Sequence, residues 1–372
     1  MTVLTAVRGA RVRNTDGTTR WSRSRKKRSL ESVSLMGTAA LLIAGVLIPA
    51  PFVIESSGPT FNTVGQFEDR ELVRIDGAQT YPSGGTLDLT TVYVKGGPSG
   101  HVNAVNVLLG WLNPADTVLP QDALYDPTLT GEEVDDSNAA AMETSQEDSV
   151  AAALDYLDKP FKTTLQVHAS IPDTPADGVL EPGDTLVAMN SDTITDLDEL
   201  RDGLDQAGDK GVDLTVERGA ETVTRHVDLT RSEDTGRWQL GVYLIPEYEF
   251  PLTVDFELDQ VGGPSAGMMF ALGVIEELTP GSMVGSEHVA GTGTITPQGE
   301  VGPIGGIRQK LQGAADAGAR YFLAPSGNCN EVTGYVPDGL DVIEVENLGE
   351  AVNAVEQAAA GNVSALPSCG TR

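Results

Sequence analysis

Residues 257–278 read ELDQVGGPSAGMMFALGVIEEL, and residues 292–311 read TGTITPQGEVGPIGGIRQKL. In the first stretch a Gly-Gly-Pro turn delivers Ser265 to the start of an uncharged apolar run from Met268 to Ile275, which Thr279-Pro280-Gly281 ends. That pattern predicts a buried helix with the serine at its amino end. The first turn of a helix offers unpaired backbone N–H groups and the positive end of the dipole. The glycines flanking the serine, Gly262 and Gly263 before it and Gly267 after it, let backbone and substrate approach closely. Such a setting suits a nucleophile that must hold an oxyanion; it equally suits a plain N-cap serine. In the second stretch Gly305-Gly306 opens a helix whose apolar face is Ile307, Leu311, Ala314 and Ala315, with Lys310 on the same face. A lysine in an apolar stripe either snorkels to water or is buried. Buried, it loses solvation, its pKa falls and it can act as a base. Beside a serine it makes the Ser-Lys form of a nucleophile-and-base pair.

Upstream of these stretches the chain changes character twice. LVRIDG (72–77) and TLDLTTVYV (86–94) read as strands, 128–148 is an acidic Ser/Thr-containing stretch expected to be partly a mobile loop, and 149–157 reads as a short helix. From 158 to 232 the order strand, turn, strand, helix, strand forms a compact module. TTLQVHASI opens it, Pro182-Gly183-Asp184 turns the chain, and Asp196 can cap a helix with Leu197, Leu200 and Leu204 on its inner face. Within it, TPADGVLEPGDTLVAMNSDTITD (174–196) resembles the latter half of bacterial PDZ domains, which take an extended chain tail as an added strand beside a helix. The usual carboxylate-binding loop is not recognisable upstream.

The chain has 372 residues, 40% hydrophobic and 21% charged, with a formal charge of −30. That length accommodates two ordinary domains and a tail. Nine Lys or Arg and a single acid fall in the first 30 residues, leaving 15 basic and 53 acidic residues for the rest. An acidic body of that kind repels phosphate backbones and argues against nucleic-acid partners. Residues 32–54 carry no charge, and 35–54 read LMGTAALLIAGVLIPAPFVI, preceded by Arg23, Arg25, Lys26, Lys27 and Arg28. About twenty apolar residues span a bilayer core and positive charge stays cytoplasmic. The expectation is a basic cytoplasmic tail at 1–33, a transmembrane anchor at 34–54 and a linker-like exit at 55–66, with the body extracellular. A cleaved signal peptide is the rival reading. The two cysteines, Cys329 and Cys369, would then lie in an oxidising compartment, where two thiols invite one bridge; two unpaired thiols are the alternative. His101, His168, His226 and His288 are scattered and no Cys pair has ligand spacing, so neither a metal nor a cofactor is expected.

Taken together, VGGPSAG followed by TGTITPQGEVGPIGGIRQKL resembles the proteolytic domain of Lon-type proteases. The resemblance implies a Ser-Lys catalytic dyad at Ser265 and Lys310, with Thr292 hydrogen-bonded to the lysine and Gly263, Pro264 and Ala266 shaping the serine turn. Classical members often carry an acid three residues before the serine; this chain has Gly262. No GxxxxGK[ST] is present, so no ATPase module is visible. The order of anchor, PDZ-like module and Lon-like domain, with Gly58-Pro59-Thr60 after the anchor, resembles the membrane-anchored PDZ-containing Lon-like proteases of Gram-positive bacteria. That likeness implies an α/β (α+β) catalytic fold shared with a ribosomal-protein domain. It assigns 55–157 and 233–372 to that domain, with the PDZ-like module (158–232) inserted. It also implies an ATP-independent serine endopeptidase acting on flexible or misfolded extracytoplasmic segments, a peptide tail at the PDZ-like module, and possible assembly into a homo-oligomeric ring. The alternative is a non-catalytic anchored PDZ scaffold with a degenerate protease domain. A Ser-His enzyme using His288 is disfavoured because no acid is placed for it in the sequence.

Overall fold

The computed structural model describes residues 30–67, 70–194, 196–232, 235–258 and 261–369. Most of the expected basic tail therefore lies outside the described residues. The central feature is a six-stranded sheet in the order Asp341–Val345, Tyr321–Pro325, His288–Gly291, Thr86–Gly96, Phe52–Asn62, Thr117–Pro120. The first four strands are mutually parallel and the last two pairings are antiparallel. Alternation sends side chains to both faces, as a sheet covered on both sides requires. Leu87, Leu89, Val289, Tyr321 and Leu323 pack with the helices Gly267–Leu278 and Leu348–Ala359 on one face. Ala290, Phe322 and Ala324 pack against Ile307, Leu311 and Ala314 of the helix Ile307–Asp316 on the other.

Two expectations about the amino-terminal region are corrected. The expected 34–54 anchor is not one helix: the helix Leu30–Leu47 stops, and Pro49–Ala50 and Phe52–Asn62 are strands. Pro49 and Pro51 break the helix. The apolar side chains beyond them belong to the protein's own core, since Val53 and Ile54 are buried in it. No helix among the described residues is long and apolar enough to cross a membrane. Nor is 55–66 a linker. Its first half is a central strand of the sheet, with a register shift between Ser57 and Thr60. Gly58 is required there, because a Cβ would stand 2.3 Å from Thr91 Oγ1.

The acidic stretch expected to be partly a mobile loop is helical from Gly131 and continues into the expected short helix, forming the single helix Gly131–Tyr156. Thr130 and Glu133 form a capping box, with Thr130 N–H donating to Glu133 Oε2 at 2.7 Å and Glu133 N–H donating to Thr130 Oγ1 at 3.3 Å. The helix buries Val134, Met142, Ser145, Ser149 and the run from Val150 to Leu154, packing on Gly267–Leu278.

A second sheet has the order Glu221–Val227, Val212–Arg218, Thr185–Met189, Lys162–Ser170, Val242–Glu249. The helix Leu197–Ala207 covers it, with Glu199 N–H donating to Asp196 Oδ1 at 2.8 Å and Leu200 and Leu204 buried beneath. The strand Val242–Glu249 pairs with Lys162–Ser170, so this module's sheet runs past the expected boundary at 232. A sheet is completed by spatial, not sequential, neighbours, and the last strand of this one comes from beyond a two-stranded ribbon, Thr230–Arg231 with Trp238–Gln239.

Candidate active site

The site lies at the carboxyl end of the strand His288–Gly291, where Thr292 leaves the sheet. Helices from opposite faces converge there. Ser265 precedes the helix Gly267–Leu278, and Lys310 sits one turn into Ile307–Asp316. Lys310 is 3% exposed. Its Nζ lies 2.8 Å from Ser265 Oγ and 2.8 Å from Thr292 Oγ1. Burial lowers the lysine pKa to about 7, because removing an ammonium from water disfavours its charged form.

Hydroxyl bookkeeping fixes the roles in this triangle. Thr292 Oγ1 donates its single proton to the Ser265 carbonyl at 2.9 Å. Its oxygen can then only accept, and it accepts an N–H of Lys310. With one N–H given to Thr292, a neutral amine keeps a second N–H and a lone pair, so across the 2.8 Å contact it can donate to Ser265 Oγ or accept its proton. The Ser265 carbonyl also accepts from Gly293 N–H at 2.9 Å, so the residues after the strand hold the serine from below.

The serine turn is held from the other side by the helix Gly131–Tyr156. Gly263 N–H donates to the Asn138 carbonyl at 2.9 Å, and Ser145 Oγ donates to the Pro264 carbonyl at 3.0 Å. Gly263 has φ +86°, a conformation that favours glycine. Ala266 is buried and occupies the position just before the helix that follows, with no side-chain cap. Among the described residues the N–H groups of Ser265 and Ala266 have no acceptor. On the lysine side, Gly306 has φ +68°, and a Cβ there would meet Val92 Cγ2 at 2.8 Å. Asn328 clamps the preceding turn, accepting from Ile304 N–H and donating to its carbonyl, each at 2.9 Å. The next residue, Cys329, is bonded to Cys369.

The residues singled out from the sequence, Ser265, Thr292 and Lys310 with Gly263, Pro264 and Ala266, thus come together in one place. The buttressing residues Asn138, Ser145 and Asn328 escaped the sequence reading. The T-x-x-E signature at Thr130 and Glu133 announces the helix that carries the first two, whereas nothing local marks Asn328. His288 does have an acid, contrary to the sequence reading: its Nε2 is 2.8 Å from Asp88 Oδ2. That pair is separate from the hydrogen-bonded triangle, whose partners are Ser265, Thr292 and Lys310. Cys329, Cys369 and Glu344 are grouped closely enough for a metal, but the disulfide occupies both sulfurs.

Of two grooves, one lies beside these elements and the other in the second module. One, of about 670 Å³, lies between the helix Gly131–Tyr156 and the strand Thr253–Phe256, which leads to the serine turn. The other, of about 530 Å³, lies between Leu197, Leu200 and Leu204 of the module's helix and the segment 239–244 at its edge strand. Gly241, at φ +80°, lines the second groove; a Cβ there would stand 2.4 Å from Thr174.

Residues 260–357 match the Lon protease (S16) C-terminal proteolytic domain. Among curated relatives, the Lon protease of Roseiflexus castenholzii is 38% identical over 96 residues, covering 25% of this chain and 12% of that protein. The Lon protease of Rhizobium meliloti is 34% identical over 118 residues, covering 28% and 14%. The archaeal Lon protease of Methanothermobacter thermautotrophicus is 32% identical over 110 residues, covering 29% and 17%. The chain thus spans less than a fifth of the length of these relatives. Among solved structures, the PDZ domain of an SdrC-like protein of Listeria monocytogenes aligns with 22% of this chain and 86% of its own, at 21% identity and a TM-score of 0.21.

Proposed function

We propose that the protein is an ATP-independent serine endopeptidase in which Ser265 is the nucleophile and Lys310 the general base. The observation that carries this reading is the buried Lys310 Nζ at 2.8 Å from Ser265 Oγ, with its pKa brought to about 7. Near neutrality such an amine is substantially unprotonated and can take the hydroxyl proton. Ser265 Oγ then bonds to the scissile carbonyl carbon. The C–N bond breaks as Lys310 returns the proton to the leaving amine. A water, deprotonated by Lys310, releases the acyl group and restores Ser265. Thr292 orients Lys310 throughout, and the N–H groups of Ser265 and Ala266 are the oxyanion donors. Loss of one such donor typically costs about 10²–10³ in rate.

The substrates in this reading are flexible or misfolded segments outside the cytoplasm, where a disulfide such as Cys329–Cys369 persists. The second module would take a peptide tail as a strand along the free edge of Val242–Glu249, its side chains entering the groove beside Leu200 and Leu204. Cleavage of casein by the full chain without nucleotide, compared with Ser265→Ala, tests the proposal. Cleavage by the parent alone is the expected result. Equal cleavage by both, or by neither in the presence of peptide tails that bind the second module, overturns it in favour of a scaffold.

A further inference from the structure

The helix Ala104–Leu112 has the sequence AVNVLLGWL. Its inner side packs on the sheet through Val107, which is buried, and Gly110, where a Cβ would lie 2.8 Å from Val118 Cγ2. Of the other residues Val105 is half-buried, and Ala104, Asn106 and the larger apolar side chains are exposed. Leu108, Leu109, Trp111 and Leu112 are between 54% and 71% exposed. No charged residue occurs from Val102 to Ala115. A surface helix normally turns a polar face to water, and one that is apolar all round requires an apolar covering.

The same apolar surface continues onto the preceding helix. Val105 lies on the stripe of Leu108, Leu109 and Leu112, and Gly45 of Leu30–Leu47 packs against it. Val46, Leu47 and Ile48 beyond that contact are 53–73% exposed. Pro49–Ala50 then pairs with Val102–Asn103, which fixes the two helix ends side by side. Phe52 and Trp111 meet edge to face with ring centres 5.9 Å apart, holding the indole at the outer rim. Ahead of the first helix the sequence carries Arg23, Arg25, Lys26, Lys27 and Arg28.

We infer that the helix Ala104–Leu112, together with the exposed end of Leu30–Leu47, beds in the surface of a lipid bilayer and holds the body of the protein against it. The chemistry is that of an interfacial helix. Leucines enter the acyl boundary, a tryptophan sits at headgroup depth, and a neighbouring basic segment is drawn to anionic lipid. The absence of charge across 102–115 matters particularly here, because the rest of the body is acidic and would be repelled by the same headgroups. This contact does not require any helix to span the membrane, and it does not depend on the protease reading.

The test uses the full chain carrying Trp21→Phe and Trp238→Phe, which leaves Trp111 as the sole tryptophan of the original three. It is mixed with vesicles of phosphatidylcholine and phosphatidylglycerol whose acyl chains are brominated. The expected result is blue-shifted Trp111 emission with strong quenching by the bromines, both lost in the additional variant Leu108→Glu/Leu112→Glu. These positions are exposed, so the fold tolerates the charges. Three outcomes overturn the inference: no vesicle binding; vesicle binding with unshifted, unquenched Trp111; or a blue shift without vesicles that disappears on dilution, which would assign the face to a second copy of the chain.

Discussion

At the scale of single residues, Lys310 carries opposite demands. In the proposed mechanism its burial supplies a base near neutrality; the same burial costs stability. The folded-state pKa of about 7 lies below the unfolded value of 10.5. Below about 7 both states are protonated and the penalty is full. Between 7 and 10.5 the unfolded chain holds more protons, so stability rises with pH and the penalty fades. Lys310→Met should therefore be inactive but more heat-stable than the parent at pH 7, with the gain shrinking toward pH 10; a melting curve at each pH checks this. Asp148 behaves in mirror fashion. Burial raises it from 3.8 to about 6, against the opposing hydrogen bond from Tyr248 Oη at 3.2 Å. The group is protonated more readily when folded, so its penalty is complete above about 6 and absent below about 3.8. Asp148→Asn, which keeps an acceptor for Tyr248, should raise the melting temperature at pH 7.5 and leave it unchanged near pH 3.5.

At the scale of elements, the helix Gly131–Tyr156 positions the serine turn through Asn138 and Ser145. Its formation rests partly on Thr130. Thr130→Ala should cost about 1 kcal/mol in a denaturant titration, and it should lower kcat through looser placement of Ser265. How much could be read from the sequence follows from such elements. The two helices flanking the site declare themselves because an apolar stripe and a glycine-bearing turn coincide in each. The helix Gly131–Tyr156 declares only its start, through Thr130 and Glu133; its body is a run of acids, serines and alanines that reads equally well as loop. The strand Phe52–Asn62 is hidden in the sequence for the converse reason. Phe52, Val53 and Ile54 continue an uncharged run, and hydrophobicity alone does not say whether lipid or a sheet will cover it. The edge strand Val242–Glu249 joins its module by long-range pairing that no local pattern reveals.

At the scale of the whole molecule, the last described segment is tied back to the parallel part of the central sheet. Cys369 bonds to Cys329, and Ser368 bridges to Ile343 of the outermost parallel strand. The closed loop spans a sequence separation of 40, and chain-entropy arithmetic for such a loop gives about 4 kcal/mol. Reduction should lower the denaturation free energy by up to that amount. It should also slow cleavage, since Asn328, beside Cys329, clamps the turn that leads to Lys310. Denaturant titration and casein cleavage, each with and without a reductant, measure the two effects.

The most direct test of the central claim is the pH dependence of kcat/KM for an unstructured peptide substrate between pH 5 and 9.5, measured without nucleotide on the full chain and on Lys310→Arg. The account predicts a rise with one apparent pKa near 7 for the parent and no cleavage at any pH for the arginine variant, which stays charged. A parent profile flat across that range, or an active Lys310→Arg, would contradict it.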